Sequence, residues 1–432
     1  MHALELLNLP RELMIRESHI ENIHRRLLDR IEILGAISSS SEGLARVFLS
    51  KEMDIASRLI QSWMNTAGLV SNIDPFQNVI GSWPSNTAKV PSIHIGSHYD
   101  TVIEAGKYDG VLGVLLSIGA IELLQAEGYA PKHHINALAF CDEEGVRFQT
   151  TFLGSSLLCG TFDDSALDKV DSDGMGMREA LLARGFNPNN IAHLAPVIGM
   201  DDVFLEAHIE QGPVLEASGH PLGVVTAVAA QTRIGVTVTG KAGHAGTTPL
   251  DLRNDALACA AEMILAVERF ALARPEVKAT VGKLVVSPNT SNAIPGRADF
   301  SIDFRAPNLD RMRELKIDLL GEIESIAERR SIKIDIQNIQ ETSHANCDPQ
   351  VTKLISAAVA ANTGQATKLF SGAGHDAMKV AETCRIGMLF VRCKDGLSHH
   401  PDEFVEPSDI MEALRSMADI IKRVDQNAFA HM

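Results

Sequence analysis

The chain has 432 residues, enough for two domains with sizeable cores. Its hydrophobic fraction of 45% and charged fraction of 22% are those of an ordinary soluble globular protein. The net charge of −16 argues against nucleic acid and an anionic membrane as partners, and the aromatic fraction of 5% argues against binding by base stacking.

The cysteines and the N-terminal pattern indicate the compartment. The six cysteines form no CxxC pair and no dense framework, which is typical of reduced and mostly buried thiols. Glu5, Arg11, Glu12 and Arg16 interrupt the N-terminal apolar runs, so no signal-peptide pattern is found there. No uninterrupted apolar run is long enough to span a membrane. We therefore expect a cytoplasmic protein.

The first half of the chain predicts alternating helices and strands. Apolar residues at helical spacing indicate mostly helix between about residues 21 and 68. A strand, a helix and a second strand are predicted at residues 92–96, 111–127 and 134–140. Residues 164–202 are rich in Asp, Gly, Asn and Pro, which predicts an irregular surface segment. A further apolar strand begins at Val203.

From about residue 222 the pattern changes. Alternating and helix-spaced apolar residues predict, in chain order, elements at 233–239, 255–270, 279–286, 298–305, 309–327 and 331–336. The order β-α-β-β-α-β is that of a ferredoxin-like unit with both helices on one sheet face. Elements of the first type then resume, with predicted helices and a strand at 351–363, 386–391 and 407–424. We predict an α/β fold in which residues 1–221 and 338–432 form one domain and residues 222–337 an inserted one.

Histidines and carboxylates recur at predicted strand ends in four separated places. These places carry His98 with Asp109, Glu143 with Glu144, His208, and His399. Taken alone, Asp109 could be a helix cap and His98 an ordinary loop histidine, and the acidic run 142–144 could be a solvated turn. Their recurrence favours a metal site at one sheet edge.

The residue types indicate which metal chemistry to expect. Carboxylate and imidazole without thiolate suit zinc, manganese or a similar divalent ion. A single aspartate can bridge two ions, and such a pair polarises a carbonyl and lowers the pKa of a shared water. Neighbouring side chains of an extended chain point to opposite sides, so we expect one of Glu143 and Glu144 to bind metal and the other to act as general base. Asp100 is placed to hold the second nitrogen of His98.

Six motifs, in the expected order, resemble one family. They are Gly-Ser-His-Tyr-Asp-Thr-Val at 96–102, Gly-Lys-Tyr-Asp-Gly at 106–110, Asp-Glu-Glu-Gly-Val-Arg-Phe at 142–148, His-Ile-Glu-Gln-Gly-Pro at 208–213, Ala-Gly-His-Ala-Gly-Thr-Thr-Pro at 242–249 and Ser-His-His-Pro at 398–401. The family is that of the allantoate amidohydrolases, N-carbamoyl-L-amino-acid hydrolases and β-ureidopropionases, a branch of the di-metal aminoacylase–carboxypeptidase clan. The resemblance runs from about residue 46 to the C-terminus.

The resemblance implies a di-metal peptidase-like catalytic domain and a role for each matching residue. It implies that His98 and His208 hold one ion, that Glu144 and His399 hold the other, and that Asp109 bridges them. The implied general base is Glu143, and the implied stabiliser of the oxyanion is His244. The implied substrate contacts are Gln211, Asn292, Arg305, Gly372 and Gly374. The inserted domain is implied to be a lid through which two chains form a homodimer.

Arg305 has two interpretations. The resemblance implies that it anchors the substrate carboxylate, for which a guanidinium fork is suited. It could instead pair with Asp299 and Asp303, which share its face of the predicted strand.

The implied reaction is hydrolysis of a ureido (carbamoyl) C–N bond of a small carboxylate by a metal-activated water. Allantoate is the expected substrate, because the motifs around Asp109 and Glu143 look most like that branch. An N-carbamoyl-L-amino-acid hydrolase or β-ureidopropionase is the alternative. An aminoacylase or dipeptidase is disfavoured by Gln211, and a metal-binding protein without turnover is disfavoured by Glu143.

Overall fold

The computed structural model describes residues 11–87 and 90–429. Contacts divide them into two compact units. The first comprises the chain up to Thr226, Cys347–Leu369 and the chain from His375 onward, and the second comprises Ala227–Asn346 and Phe370–Gly374. The chain leaves and re-enters the first unit at neighbouring positions, because the backbone N–H of Cys347 donates to the carbonyl of Thr226 at 3.0 Å.

Eleven α-helices and fifteen strands form the described part of the chain. The helices are α1 (Arg11–Gly35), α2 (Lys51–Thr66), α3 (Val111–Ala126), α4 (Leu153–Leu158), α5 (Met177–Ala183), α6 (Val214–Ser218), α7 (Ala256–Leu272), α8 (Leu309–Arg329), α9 (Pro349–Thr363), α10 (Asp376–Val380) and α11 (Pro407–Asn427). The strands are β1 (Val70–Ile73), β2 (Val79–Trp83), β3 (Ser92–His98), β4 (His134–Phe140), β5 (Val203–Ile209), β6 (Leu222–Val228), β7 (Ala230–Thr239), β8 (Gly243–His244), β9 (Lys278–Ser287), β10 (Ala293–Ile294), β11 (Arg297–Ala306), β12 (Lys333–Thr342), β13 (Ala345–Asn346), β14 (Thr367–Ser371) and β15 (Arg385–Val391). None of these helices combines the length and apolar character needed to cross a membrane.

The first unit is organised around a mixed sheet. Its strand order is β1-β2-β4-β3-β5-β15-β6, with β14 paired to β6. The four central strands β4, β3, β5 and β15 run parallel, whereas β2 and β6 flank them antiparallel. Nearly every residue of β3, β4 and β5 is buried, as expected for parallel strands covered on both faces. Helix α3, buried on most sides, packs on this sheet and against α1 and α11.

The stretch 21–68, predicted to be mostly helical, contains parts of two helices, α1 and α2. Residues 36–50 between α1 and α2 are irregular. Ser38 explains the break, because its hydroxyl accepts the backbone N–H of Ser40 and of Ala45 and donates to the carbonyl of Gly43. Such serine contacts compete with helical hydrogen bonds. Helix α2 then starts at its own cap, where the Ser50 hydroxyl accepts the N–H of Met53.

The second unit contains four long strands and two helices in the order β7-α7-β9-β11-α8-β12. The strands form an antiparallel sheet of order β12-β7-β11-β9, and the two-residue strands β8 and β10 pair separately. Alternate residues of β7 and β11 are buried and pack against α7 and α8 in one core. Asp255 and Asn308 cap the two helices, with side chains accepting the N–H groups of Ala258 and Arg311.

Candidate metal centre

The parallel strands of the first unit bring the predicted ligands to one sheet edge. His98 is the last residue of β3, and His208 lies one residue before the end of β5. Glu143 and Glu144 follow β4, and His399 lies in the loop after β15. Because β4, β3, β5 and β15 are parallel neighbours, their carboxyl ends meet at the same edge.

Asp109 lies among the three histidines. Its Oδ1 is 3.2 Å from Nε2 of both His98 and His208, and its Oδ2 is 3.4 Å from Nε2 of His399. The backbone reaches this position through Gly110, whose φ is 65°. A Cβ at Gly110 would lie 2.5 Å from the His98 ring, so a larger residue does not fit. The two oxygens of one carboxylate thus face different histidines.

The tautomers of the two buried histidines fit a metal ion. Nδ1 of His98 is 3.1 Å from the backbone carbonyl oxygen of Asp100, and Nδ1 of His208 is 2.9 Å from that of Ile209. A carbonyl only accepts, so Nδ1 carries a proton, and in the neutral imidazole that binds a metal Nε2 presents a lone pair. The two Nε2 atoms are 3.4 Å apart and both face Asp109. A cation stabilises such a convergence of lone pairs and negative charge, so the donor set fits a divalent ion.

A second group shares Asp109. Nε2 of His399 is 3.3 Å from Oε1 of Glu144, and one ligand atom each from Asp109, Glu144 and His399 lie within 4.8 Å of one another. The side chain of His399 is 47% exposed, whereas His98 and His208 are buried. The geometry therefore offers two neighbouring ligand groups of unequal burial with one carboxylate in common.

The predicted divergence of Glu143 and Glu144 is wrong. Ligand atoms of both carboxylates and of His98 lie within 4.8 Å of one another. The chain is not extended here, because Asp142 has a φ of 53° and turns the backbone directly after β4. Alternation holds only along extended backbone, so it does not separate the two side chains.

Asp100 fixes this turn. Its Oδ1 accepts the N–H of Glu143 at 3.1 Å, and its Oδ2 accepts the N–H of Glu144 at 3.2 Å. For His98 the nearer acceptor is the backbone carbonyl of Asp100, since the carboxylate oxygen lies 3.5 Å from Nδ1. Asp100 therefore holds the backbone of Glu143 and Glu144 through its carboxylate, and the ring of His98 mainly through its backbone carbonyl.

Burial and charge shift the pKa values in the cluster. Burial raises the pKa of the Glu143 carboxyl well above its ordinary value. Burial also favours a raised pKa for the Asp109 carboxyl. The neighbouring imidazoles, above all His208, have the larger opposite effect and hold the pKa of Asp109 well below its ordinary value. Hydrogen bonds to Asp109 and Glu144 raise the pKa of His399 to about 10. Asp109 is thus the carboxylate that stays ionised, and Glu143 has a high affinity for a proton.

Gln211 also contacts the shared carboxylate. Its Nε2 donates to Oδ2 of Asp109 at 2.6 Å. The amide oxygen of Gln211 is buried and has no hydrogen-bond partner among the described residues. Gln211 and His399 both have a φ of 56°, an uncommon conformation for residues other than glycine that recurs at functional sites.

Arg46 is a buried residue of this region that the sequence did not indicate. Its Nε donates to the carbonyl of Tyr99 at 2.7 Å, and its Nη1 donates to the carbonyl of Leu34 at 2.9 Å. Burial lowers its pKa to about 10. Arg46 thereby ties the end of α1 to the loop that follows His98. No local pattern marks such a residue, because its partners are backbone carbonyls distant in sequence.

The other predicted site residues lie in the second unit. His244 is exposed on β8 and pairs with Ala293 of β10, beside Asn292. Nδ1 of His244 accepts the N–H of Gly246 at 3.0 Å, which leaves the proton on Nε2. The carbonyl of Asn292 accepts the N–H of Ala245 at 3.0 Å. His244 is therefore a hydrogen-bond donor on a small two-stranded ribbon that also presents Asn292.

Arg305 pairs with an acidic neighbour on its own strand. Its Nε and Nη2 donate to the two carboxylate oxygens of Asp303 at 2.7 and 3.1 Å. Its Nη1 donates to the carbonyl of Gly372, which brings two predicted substrate contacts together. Asp299 is bound by Arg297 instead, and Gly374 lies exposed two residues after Gly372.

Residues 94–423 match Peptidase family M20/M25/M40. The chain belongs to this family. All five predicted metal ligands lie inside the matched region, and the resemblance noted from the six motifs is confirmed.

Individual relatives show which members of the M20 family this chain is similar to. The chain is 39% identical over 417 residues to an allantoate deiminase of Arabidopsis thaliana, covering 88% of this chain and 78% of that protein. It is 36% identical over 405 residues to an N-carbamoyl-L-amino-acid amidohydrolase of a Pseudomonas species, covering 92% and 98%. Among solved structures, an amidase of the hydantoinase/carbamoylase family from Burkholderia multivorans superposes with a TM-score of 0.86 at 31% identity, covering 93% and 97%.

Proposed function

We propose that this M20 enzyme hydrolyses a ureido C–N bond of a small carboxylate, with allantoate as the first substrate. The observation that carries the proposal is Asp109, whose two oxygens face separate groups of imidazole and carboxylate ligands. The names of the relatives support a ureido substrate, since they include allantoate deiminases and N-carbamoyl-L-amino-acid amidohydrolases. The relatives support an N-carbamoyl-L-amino acid as the alternative substrate.

Two divalent ions, zinc or manganese, are proposed to bind in the ligand cluster. One is held by His98 and His208, the other by Glu144 and His399, and Asp109 belongs to both. When bound, such ions polarise a carbonyl and lower the pKa of water.

Glu143 is proposed to move the proton. It is buried beside the ligands, and burial raises its pKa, so the carboxylate is a stronger base than an exposed glutamate. It accepts a proton from the attacking water and passes it to the leaving nitrogen. The products are ammonia, carbon dioxide and the amine.

The second unit is proposed to be a ferredoxin-like lid that also forms a homodimer. Its strand order β12-β7-β11-β9, with two helices between the strands, supports the ferredoxin-like fold of this unit. The donor Nε2–H of His244 suits an oxyanion, which needs a hydrogen bond where negative charge develops. Asn292 and the loop at Gly372 and Gly374 contact the substrate amide.

Gln211 and Arg305 are proposed to recognise the two ends of the substrate. The unpartnered amide oxygen of Gln211 suits the N–H groups of a ureido function. Arg305 anchors the substrate carboxylate. For this, some of the hydrogen bonds that its guanidinium donates to Asp303 are replaced by hydrogen bonds to the substrate. The enzyme is proposed to be cytoplasmic, which its six free, buried cysteines support.

A substrate panel tests the proposal. Purified protein loaded with manganese or zinc is incubated with allantoate, N-carbamoyl-β-alanine, several N-carbamoyl-L-amino acids and a dipeptide, and ammonia release is measured. We expect the highest kcat/KM for allantoate. Preference for a carbamoyl amino acid would select the alternative, and cleavage of the dipeptide alone would contradict a ureido substrate.

A further inference from the structure

We propose that Glu403, acting with Ser398, positions two of the three loops that carry the proposed ligands of the more exposed metal ion, the third being the loop of Glu144. Asp109 lies on one of these loops, between β3 and α3, and His399 lies on the other, between β15 and α11. We call Ser398 and Glu403 the clamp. The inference rests on the proposed metal pair, but it concerns residues outside the ligand set.

Glu403 joins the two loops through both of its oxygens. It is 4% exposed. Its Oε1 accepts the backbone N–H of Tyr108 at 2.8 Å and that of Asp109 at 3.0 Å, and its Oε2 accepts the Ser398 hydroxyl at 2.9 Å. A single carboxylate thus fixes the backbone that carries Asp109 and the residue directly before His399.

Ser398 extends this link to the ligand itself. Its hydroxyl also lies 2.5 Å from Oδ2 of Asp109, the oxygen that faces His399, so one hydroxyl proton is shared between the carboxylates of Asp109 and Glu403. The backbone N–H of Glu403 donates to the carbonyl of His400 at 3.0 Å, which closes a tight turn after His399. His399 has a φ of 56°, and this turn holds the unusual conformation. The clamp therefore holds the backbone position of Asp109 and the turn that carries His399.

The loop that carries Asp109 packs closely against Glu403. A Cβ at Gly106 would lie 2.2 Å from the Cβ of Glu403, so the loop backbone rests directly on this side chain. Placing a buried carboxylate near Asp109 is unfavourable, because the two negative charges repel each other. Two backbone N–H groups and a hydroxyl offset that cost. No ligand group of the described residues includes Glu403, so it acts as a positioning residue.

Metal binding tests the clamp separately from catalysis. Metal-free protein is titrated with Co²⁺, and stoichiometry, affinity and the visible absorption spectrum are measured for wild type, Glu403→Ala, Glu403→Gln and Ser398→Ala. Asp402→Ala is the matched control, because Asp402 is the exposed neighbouring carboxylate. The melting temperature of each metal-free protein is recorded beside it.

We expect two ions in wild type and in Asp402→Ala. In Glu403→Ala one of the two should bind about 10- to 100-fold more weakly, as is common when a residue that orients ligands is lost. Ser398→Ala should weaken the same ion. Glu403→Gln should recover most of the affinity, because its amide oxygen still accepts the two backbone N–H groups.

Two ions bound by Glu403→Ala with wild-type affinity and spectrum would overturn the clamp. An equal loss of metal affinity in Asp402→Ala would also overturn the clamp, since removing any nearby negative charge would then explain the loss. If Glu403→Ala does not fold, Ser398→Ala carries the same test, and wild-type affinity and spectrum in that variant would overturn the clamp. A wild-type protein that binds no pair of ions would contradict the proposed function instead, so the two failures are distinguishable.

Discussion

The two ligand groups differ in how the fold holds them. His98 and His208 stand on the neighbouring strands β3 and β5, are buried, and have their second ring nitrogens at backbone carbonyls. Glu144 and His399 lie on loops, and the side chain of His399 is 47% exposed. The first group is preorganised by the sheet, whereas the second depends on contacts between loops. We therefore expect the two proposed metal ions to differ in affinity, the one at His399 being the more easily lost.

The largest effect is expected at the residue that the two groups share. Asp109→Asn removes a negative charge from both groups, so it should abolish binding of both ions and all measurable activity. Metal analysis of the purified variant checks this. Retention of one ion at full affinity would show that Asp109 serves a single site.

Glu143→Gln should separate chemistry from metal binding. Loss of the general base is expected to lower kcat about 10²- to 10⁴-fold, while two ions remain bound. Steady-state kinetics and metal content of the same preparation measure the two effects. Because Glu143 lies within reach of His98 and Glu144, a parallel loss of metal would make it a ligand instead.

His208→Ala and His399→Ala compare the two groups directly. Truncating buried His208 should lower the metal-free stability by roughly 1–3 kcal/mol and remove the more tightly bound ion. Truncating half-exposed His399 should leave the metal-free melting temperature near that of wild type and remove only the weaker ion. Differential scanning fluorimetry with and without a chelator measures both. Equal behaviour of the two variants would argue against unequal sites.

Arg305 lies outside both groups and should affect only substrate binding. Arg305→Ala is expected to raise the KM for a carboxylate substrate roughly ten-fold or more, with metal content unchanged. Arg305→Lys should recover little of this, because an ammonium cannot form the bidentate fork. An unchanged KM would mean that Arg305 serves only its pairing with Asp303.

The smallest effect is expected at the far ends of the strands that carry the buried group. The carboxylate of Asp202 accepts hydrogen bonds from the N–H of Ser92 at 2.7 Å, the N–H of Gly199 at 2.8 Å and Nε2–H of His94 at 2.9 Å. These bonds tie the start of β3 to Asp202, the residue before β5. Partial burial opposes ionisation, but these bonds outweigh it and hold the pKa of Asp202 below its ordinary value.

The sign of the pH dependence follows from that direction. A carboxyl with a lowered pKa in the folded state contributes stability above its unfolded pKa of about 4 and loses it as the pH falls. Asp202→Asn should therefore cost about 1 kcal/mol at neutral pH, and its difference from wild type should shrink below about pH 4. Melting temperatures of both proteins, measured from roughly pH 3 to pH 7, test this pH dependence. A constant difference would show that ionisation of Asp202 does not contribute.

The sequence predicts the sheet edge well, because apolar strands and the polar residues that end them are local patterns. His98 and His208 follow from such patterns. The orientation of Glu143 could not be predicted, since one left-handed residue, Asp142, replaces the assumed extended backbone with a turn. Glu403 was missed because its partners, Tyr108 and Asp109, lie almost 300 residues away and are recognised only through backbone N–H groups.

The hydrogen bond between Cys347 and Thr226 has a consequence for how this chain can be altered. The intervening segment starts and ends at neighbouring positions of the first unit. All five proposed ligands come from chain segments outside it. His244, Asn292 and Arg305 can thus be exchanged together by replacing one contiguous stretch of gene, whereas Gln211, Gly372 and Gly374 lie outside that stretch.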